Sequence, residues 1–599
     1  MDENKILTRS EISEEYKWDL TDLYESDEAW LEALKSAEGM IEKTASFRGR
    51  IMESADTLLE FLKYDDECTI DLNRLACYSF RKHDEDSTVA KYQDFESRTM
   101  NLVTRLGAAS AFVAPEIIAA DDKTLEKFYA EKPELLVYKR SLDKIRLQRE
   151  HTLSNAEEAI MASAGNIEAV PSDAFEMLTT ADLKFPPVVD KDGKELPLTN
   201  GNYVTYLESS DRDIRKQAFD KLYHTYEQYK NTLATLYFGE VKQRMFIASS
   251  RKYPSALDAA LSRNEVPTSV YHNLIDAVHK NMSYMHKYMK LRKKLLGVDE
   301  LHMYDVYVPI VDEAKVKVGY EQAKSEILDA MKILGKDYTD MLEEGFNNRW
   351  IDVYENTGKR SGAYSAGARP HPYVLLNHKD TLDSEFTLVH EMGHALHSYL
   401  SMKNQPVCTS DYVIFVAEVA STCNEALLMQ YLLGKTTDKS ERAYLINYFL
   451  EQFRTTLYRQ TMFAEFELLT NEMSERGETL TADALCELYH KLNVEYYGED
   501  MVVDREIDFE WSRVPHFYYN FYVFQYATGF SAAIALSQRI IKEGEPAVKD
   551  YLKFLSSGSS ADPISLLKIA GVDMNSPEPV AQALELFGKL IDELDELLG

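Results

Sequence analysis

The sequence is short of the features that mark secreted, membrane-bound or nucleic-acid-binding proteins. It has five cysteines in 599 residues, Cys68, Cys77, Cys408, Cys423 and Cys486. They are odd in number, scattered, and lack the paired spacing of a zinc ribbon or a redox motif, so reduced thiols are expected. The opening MDENKILTRSEISEEYKWDL carries charge from its second residue and has no apolar centre, so it does not read as a secretory signal. No run of about 18 apolar residues stands out, which leaves no expected bilayer span, and the cytoplasm is the economical location. Positive charge is scarce too: 67 Lys and Arg face 100 Asp and Glu, a formal net charge of -33. That balance fits a solvated acidic exterior and argues against nucleic acid or anionic membrane as partners.

What remains is ample for a large helical core. Hydrophobic residues make up 45%, and the length allows several domains or one large assembly around a cleft. Over residues 1 to 110, Asp19 or Thr21 can cap a first helix, and apolar residues recur at three- and four-residue intervals from Trp30, Leu31 and Leu34 through Ile41 to Leu58, Leu59, Phe61 and Leu62. Pro115 and Pro133 mark breaks in the helices that follow. At 185 to 202, FPPVVDKDGKELPLTNGN, two short apolar runs flank a turn that Gly193 permits, which predicts a hairpin. A domain boundary is placed there, with a helical region over 1–200 and a second domain over 201–599. His272, His279 and His286 lie seven apart on a helical segment; that spacing makes no close pair, and a structural role is expected.

The chemistry concentrates in FTLVHEMGHALHS, 386 to 398. His390 and His394 stand four apart, on one face of a helix, so both imidazoles can reach one ion. Glu391 flanks that ion, where the base for an attacking water has to be. A catalytic zinc needs a third protein ligand and an open position. Glu418, 24 residues after His394, is the candidate; Glu418, Ser421, Thr422 and Glu425 share a polar stripe on a second helix, with Ser410 and Asp411 available as caps. Two carboxylates on an otherwise apolar helix call for a compensating cation, with Glu418 as ligand and Glu425 orienting a ligand histidine. Against this stands the bland reading, that HExxH recurs by chance and is confirmed only by its context. The three-histidine pattern HExxHxxGxxH would need Gly at 397 and His at 400, where the chain has His397 and Leu400, so His397 is read as structural.

Three other stretches bear on the site. PHPYVLLN, 370 to 377, is an isolated strand; an edge strand that pairs with a peptide and a buried sheet strand look alike over so few residues. It is followed by Thr381 and Asp383 as caps for the motif helix. GKRSGAYS, 358 to 365, is a loop that lacks the GxxxxGK[ST] order of a phosphate loop. PHFYYNFYVFQYATGF, 515 to 530, has more phenols than packing requires, although core is the default for such a block.

Taken together, HEMGHALHS at 390 to 398, ExxSxxxE at Glu418, Ser421 and Glu425, and PHFYYNFYVFQYATG at 515 to 529 make the chain resemble the M3 metallopeptidases, and within them the oligoendopeptidase F group. RKYPSALDAAL at 251 to 261, GKRSGAYS, and EEYKWDLTDLY at 14 to 24 extend the resemblance over nearly the whole chain. It implies a predominantly α-helical, two-lobed ellipsoid with a deep substrate channel and a small β-sheet near the metal helix. It implies one Zn²⁺ per chain, held by His390, His394 and Glu418, and hydrolysis of internal bonds in short unstructured peptides. His516, with Tyr519 and Tyr526, would contact the tetrahedral intermediate; Tyr522 competes for such a role and would otherwise bind substrate. The resemblance also tips Tyr373, Gly362 and Tyr364 toward the peptide. Two alternatives stand beside it: a peptidyl-dipeptidase or other exopeptidase using the same site, and a non-catalytic helical scaffold with a structural metal. No GxMEN-type amine-anchoring segment of an aminopeptidase is present.

Overall fold

The computed structural model describes residues 6–311 and 317–599. It is built of helices, with three small sheets among the described residues. The chain forms two compact units and passes between them more than once. Met1–Glu150, Val316–Tyr431 and Leu536–Val572 make the first; His151–Lys315, Leu432–Ala535 and Asp573–Gly599 make the second. The first crossing comes near residue 150. Residues 151 to 182 go with the second unit because their partners are there: Glu158 pairs with Arg251 at 2.9 Å, and Phe175 stacks on Tyr518 with centroids 4.3 Å apart. The hairpin itself forms as its sequence predicts. Val188–Val189 pairs antiparallel with Glu195–Leu196, and Gly193 takes φ 79° in the turn.

In the first unit, Ser54 caps the 31-residue helix Ala55–Glu85 by accepting from Thr57 N–H. Its apolar face gives the stack a long side to bury: Leu58, Phe61 and Leu62 join Ile117, Leu125, Phe128 and Leu135 in one cluster. A second cluster gathers Trp18, Trp30, Leu75, Phe95, Tyr373 and Leu375, with Trp30 stacked on Phe95 at 4.1 Å and its indole N–H given to the Leu75 carbonyl. Asp19 caps only a single turn, Leu20–Asp22; the first α-helix starts later, at Asp27, behind Ser26. Ala90–Ala119 has the length and apolarity of a membrane span by those two measures alone, with a window of mean hydropathy 1.4. This is more apolar than the sequence reading allowed. The stretch comprises two helices, Ala90–Ser110 and Val113–Ala119, and Phe95, Leu102 and Leu106 are buried in the fold.

A three-stranded sheet lies in the same unit. Tyr373–Leu375 is its middle strand, parallel to Ile351–Asp352 on one side and antiparallel to Tyr364–Ala366 on the other. The second unit is a set of packed helices including Lys230–Ser250, Thr268–Lys280, Arg459–Glu475 and Ala482–Tyr497. His279 there meets Glu465 at 2.7 Å and Glu495 at 3.1 Å, and His286 meets the Glu495 carbonyl at 2.9 Å, so both histidines are engaged in structural contacts.

Candidate metal centre and a histidine–tyrosine cluster

Two helices of the first unit build the centre. Leu382–Asn404 starts where Thr381 accepts from Ser384 N–H, with Asp383 and Glu385 in the first turn, as the sequence predicts. Leu388, Val389, Met392, Ala395 and Leu396 are fully buried, so the helix is held in the core on most of its sides. The second helix, Ile414–Lys435, begins beyond both expected caps. Ser410 gives its hydroxyl to the Val407 carbonyl, and the Asp411 carboxylate accepts from Tyr412 N–H, so each is occupied locally.

The crossing of these helices depends on a glycine that sequence reading passed over. A Cβ at Gly393 would lie 2.6 Å from Ser421 Cα and 3.0 Å from the Ala420 carbonyl oxygen. The two backbones therefore touch at Gly393 and Ser421. Glu418 lies three residues before that contact and Glu425 four after it, so both carboxylates sit on the face turned to the histidines. Asn424 and Tyr338 exchange a buried hydrogen bond that holds the second helix from behind. The signal was present in the sequence, as the only small residue between Glu391 and His394, but its use depends on the partner helix.

At the centre, Glu418 Oε2 is 3.5 Å from His390 Nε2 and 3.7 Å from His394 Nε2. One donor atom from each of the three residues lies within 4.8 Å of the others, and they form the one such metal-ligating group among the described residues. Glu425 Oε1 approaches His390 Nδ1 at 2.5 Å, leaving Nε2 to face inward. Burial lifts the Glu391 carboxyl to about 7, with Glu418 and Glu425 pushing the same way against His390. Burial, then the His390 charge, drives His394 down to about 3, so it is a neutral donor. Burial also opposes charge on His390, but the hydrogen bond and charge of Glu425, followed by Glu391 and Glu418, raise it to about 9. The carboxyl groups of Glu391, Glu418 and Glu425 crowd the two imidazoles, and Glu391 Oε2 is buried without a hydrogen-bond partner. Two nitrogens and one carboxylate oxygen, with that buried oxygen beside them, fit a divalent cation such as zinc. His397 stays outside the group: it is buried, neutral, and stacked on Tyr412 at 3.8 Å.

The second unit gathers the other residues. His516 Nε2 lies 3.4 Å from the Tyr526 hydroxyl, and its ring is 6.3 Å from Tyr522 and 5.6 Å from Tyr519. Burial, and then the charge of Arg459, hold the His516 imidazole below its ordinary range. Tyr519 is 55% exposed. The four rings thus form one polar cluster, although the block also supplies core: Phe517 and Phe524 are buried.

The three remaining candidates fall on the small sheet of the first unit. Tyr373 is fully buried and gives its hydroxyl to the Asp19 carbonyl at 3.2 Å. Its strand has neighbours on both sides, so the expectation of a peptide-pairing edge at Tyr373 is corrected; the end positions belong to Ile351–Asp352 and Tyr364–Ala366, and the latter is the one that leads toward the motif helix. The Tyr364 hydroxyl is bonded to Asp84, and its ring lies under Arg81 at 4.9 Å, which commits the side chain to the fold. Gly362 takes φ 83°, and its carbonyl accepts from Asn377 at 2.8 Å, closing the loop before that outer strand. The outer strand runs on to Gly367, where an added Cβ would meet Ser398 Cβ of the motif helix at 3.1 Å.

Comparison with known proteins is concordant with this geometry. Peptidase family M3 matches residues 205–586, and Oligopeptidase F matches residues 116–185. The chain is 47% identical to oligopeptidase PepF of Bacillus subtilis over 99% of its own length and 89% of the relative's. It is 40% identical to group B oligopeptidase PepB of Streptococcus agalactiae, covering 99% of this chain and 98% of that one. The crystal structure of oligoendopeptidase-F from Enterococcus faecium superposes with a TM-score of 0.74 at 37% identity, over 96% of this chain and 98% of that one. The gap between the two family matches falls at the predicted hairpin, whereas the compact units divide the chain elsewhere.

Proposed function

This chain belongs to peptidase family M3, and from that premise we propose that it is a zinc-dependent oligoendopeptidase whose working centre is His390, His394, Glu418 and Glu391. The observation that carries the assignment is the helix crossing at Gly393, which puts two imidazole nitrogens and a carboxylate oxygen within 4.8 Å of one another beside a buried carboxylate. Family membership makes the chain a metallopeptidase acting on short oligopeptides. The ligand roles and the choice of zinc are our reading of the donor set.

Zinc held by these three side chains would polarise a peptide carbonyl and acidify water. Glu391 does the proton work: its Oε2, without a hydrogen-bond partner, takes the proton of the attacking water and passes it to the leaving amine. Glu425 fixes the His390 ring through Nδ1 so that Nε2 stays available. On the resemblance of their segment we assign His516 and Tyr526, with Tyr522 and Tyr519 around them, as hydrogen-bond donors to the peptide substrate. Support for that role is the resemblance of the 515–529 segment and the clustering of its donors. Main-chain pairing along Tyr364–Ala366, not contact with the side chains of Tyr364 or Tyr373, is the means by which the sheet binds an extended peptide with little sequence demand. Five thiols, none in a disulfide, suit the cytoplasmic location we assign.

The test is hydrolysis of an internally quenched peptide blocked at both termini. An endopeptidase cleaves it at an internal bond, loses the activity to a chelator and regains it with one equivalent of zinc. Cleavage confined to peptides with a free carboxyl terminus, with release of dipeptides, would instead make it a peptidyl-dipeptidase.

A further inference from the structure

The cluster at His516 is carried on a turn whose conformation its own sequence does not favour. Asn520 and Phe521 are consecutive residues with φ 53° and 55°; asparagine tolerates that left-handed region, but a bulky side chain such as that of Phe521 does not. His516 lies just before this turn and Tyr522 just after it. Something outside the turn has to hold it.

That support is a buried ion pair from two helices of the same unit. Glu467, on Arg459–Glu475, is fully buried; its Oε1 accepts from Phe521 N–H at 2.8 Å and from Arg244 Nη1 at 2.7 Å. Arg244, on Lys230–Ser250 and 4% exposed, sends Nη2 to the Phe517 carbonyl at 2.5 Å and Nε to Glu240 at 3.3 Å. One pair thus grips both ends of the five-residue turn, the carbonyl that follows His516 and the amide that precedes Tyr522. The rings between those ends are seated as well: Phe517 packs on Phe466 at 5.1 Å, and Phe521 meets Tyr271 edge-on at 5.7 Å. A charge-assisted contact at each end resists the displacement that would relax the two left-handed residues.

We propose that Arg244 and Glu467 are positioning residues for catalysis: their ion pair holds the Phe517–Phe521 turn so that His516, Tyr522 and Tyr526 present their donors in one fixed arrangement. This rests on the reading that His516 serves the reaction. Glu467 touches no substrate in this account. Its effect passes through the Phe521 amide and, by way of Arg244, the Phe517 carbonyl.

The experiment compares Glu467→Gln, His516→Ala and the double variant, each purified with its metal and assayed for kcat and KM on the blocked quenched peptide. Glu467→Gln keeps an oxygen for the Phe521 amide but loses the pairing that orients Arg244. We expect kcat to fall about 10-fold or more, the order seen when supporting contacts around a catalytic group are removed, with zinc stoichiometry unchanged and KM moved far less. In the His516→Ala background the same substitution should cost less than about 3-fold, because coupled residues are non-additive. A wild-type kcat for Glu467→Gln alongside a slow His516→Ala overturns the clamp and leaves the site standing. Equal losses in both backgrounds overturn it too, since the pair would then act on the fold at large. A wild-type kcat for His516→Ala removes His516 from the site and the proposal with it. Where Glu467→Gln does not fold, Arg244→Lys serves in its place: it keeps the charge at Glu467 and gives up the reach to Phe517.

Discussion

The metal centre and the His516 cluster are both made of histidines beside hydroxyls or carboxylates, yet their geometry has different origins. His390, His394 and Glu418 take their places from regular helices, where a four-residue step sets one side chain above the next and a glycine lets the second helix come close. His516, Tyr522 and Tyr526 take theirs from a turn with two left-handed residues and an ion pair at its back. In the first arrangement the histidine pair is periodic, so spacing reveals it, and Glu418 joins the pair through the helix crossing. The second is imposed by residues that are distant in sequence, and spacing says little about it.

The largest effect that would sharpen this contrast is at the third ligand. Glu418→Ala removes the carboxylate that both histidine Nε2 atoms face; bound zinc and activity should disappear together, read by metal analysis and peptide hydrolysis. Retained stoichiometric zinc would move the third ligand elsewhere. Next is Glu425→Gln, which weakens the hold on His390 Nδ1 while sparing the donor atoms. Loss of such an outer partner typically costs about 10–100-fold in metal affinity or activity, and titration with a competing chelator measures it. An affinity within about 2-fold of wild type would mean that helix packing alone orients the ring.

Two glycine exchanges then compare the regions directly. Gly393→Ala puts a methyl against Ser421 Cα, and overpacking of this kind typically costs about 1–3 kcal/mol. The melting temperature and zinc affinity should fall together as the helices part. Asn520→Gly relieves one left-handed residue, but the gain is offset by extra freedom in the unfolded chain, so the net change should stay within about 0.5 kcal/mol. If the turn variant is the more destabilised of the two, the clamp does not over-determine the turn and the comparison fails.

The sequence was most readable where local rules act alone. The helical class, the Thr381 cap, the hairpin at Gly193 and the pairing of His390 with His394 follow from periodicity, capping and turn chemistry, whereas the meeting of Glu418 with that pair needs the helix crossing at Gly393. Ser410 and Asp411 misled because nearby backbone groups claimed their side chains before the helix began. Tyr373 misled for a different reason: an apolar run of this length does not say which strands flank it, and one partner, Ile351–Asp352, is only two residues long. The change of composition near 200 is real in sequence, but the contacts of Glu158 and Phe175 assign the chain before it to the second unit. Arg244 and Glu467 gave no local signal, since a charged residue on a helix is ordinarily solvated and only their burial marks them out.

The central claim is that the buried carboxylate beside the ligand pair moves the proton and does not hold the metal. Glu391→Gln keeps the shape of the side chain and removes its basicity. The variant should bind one zinc per chain with wild-type affinity while kcat on the blocked peptide falls by about 10²–10⁴-fold, the range for loss of a general base. Turnover at the wild-type rate in zinc-loaded Glu391→Gln would contradict the account.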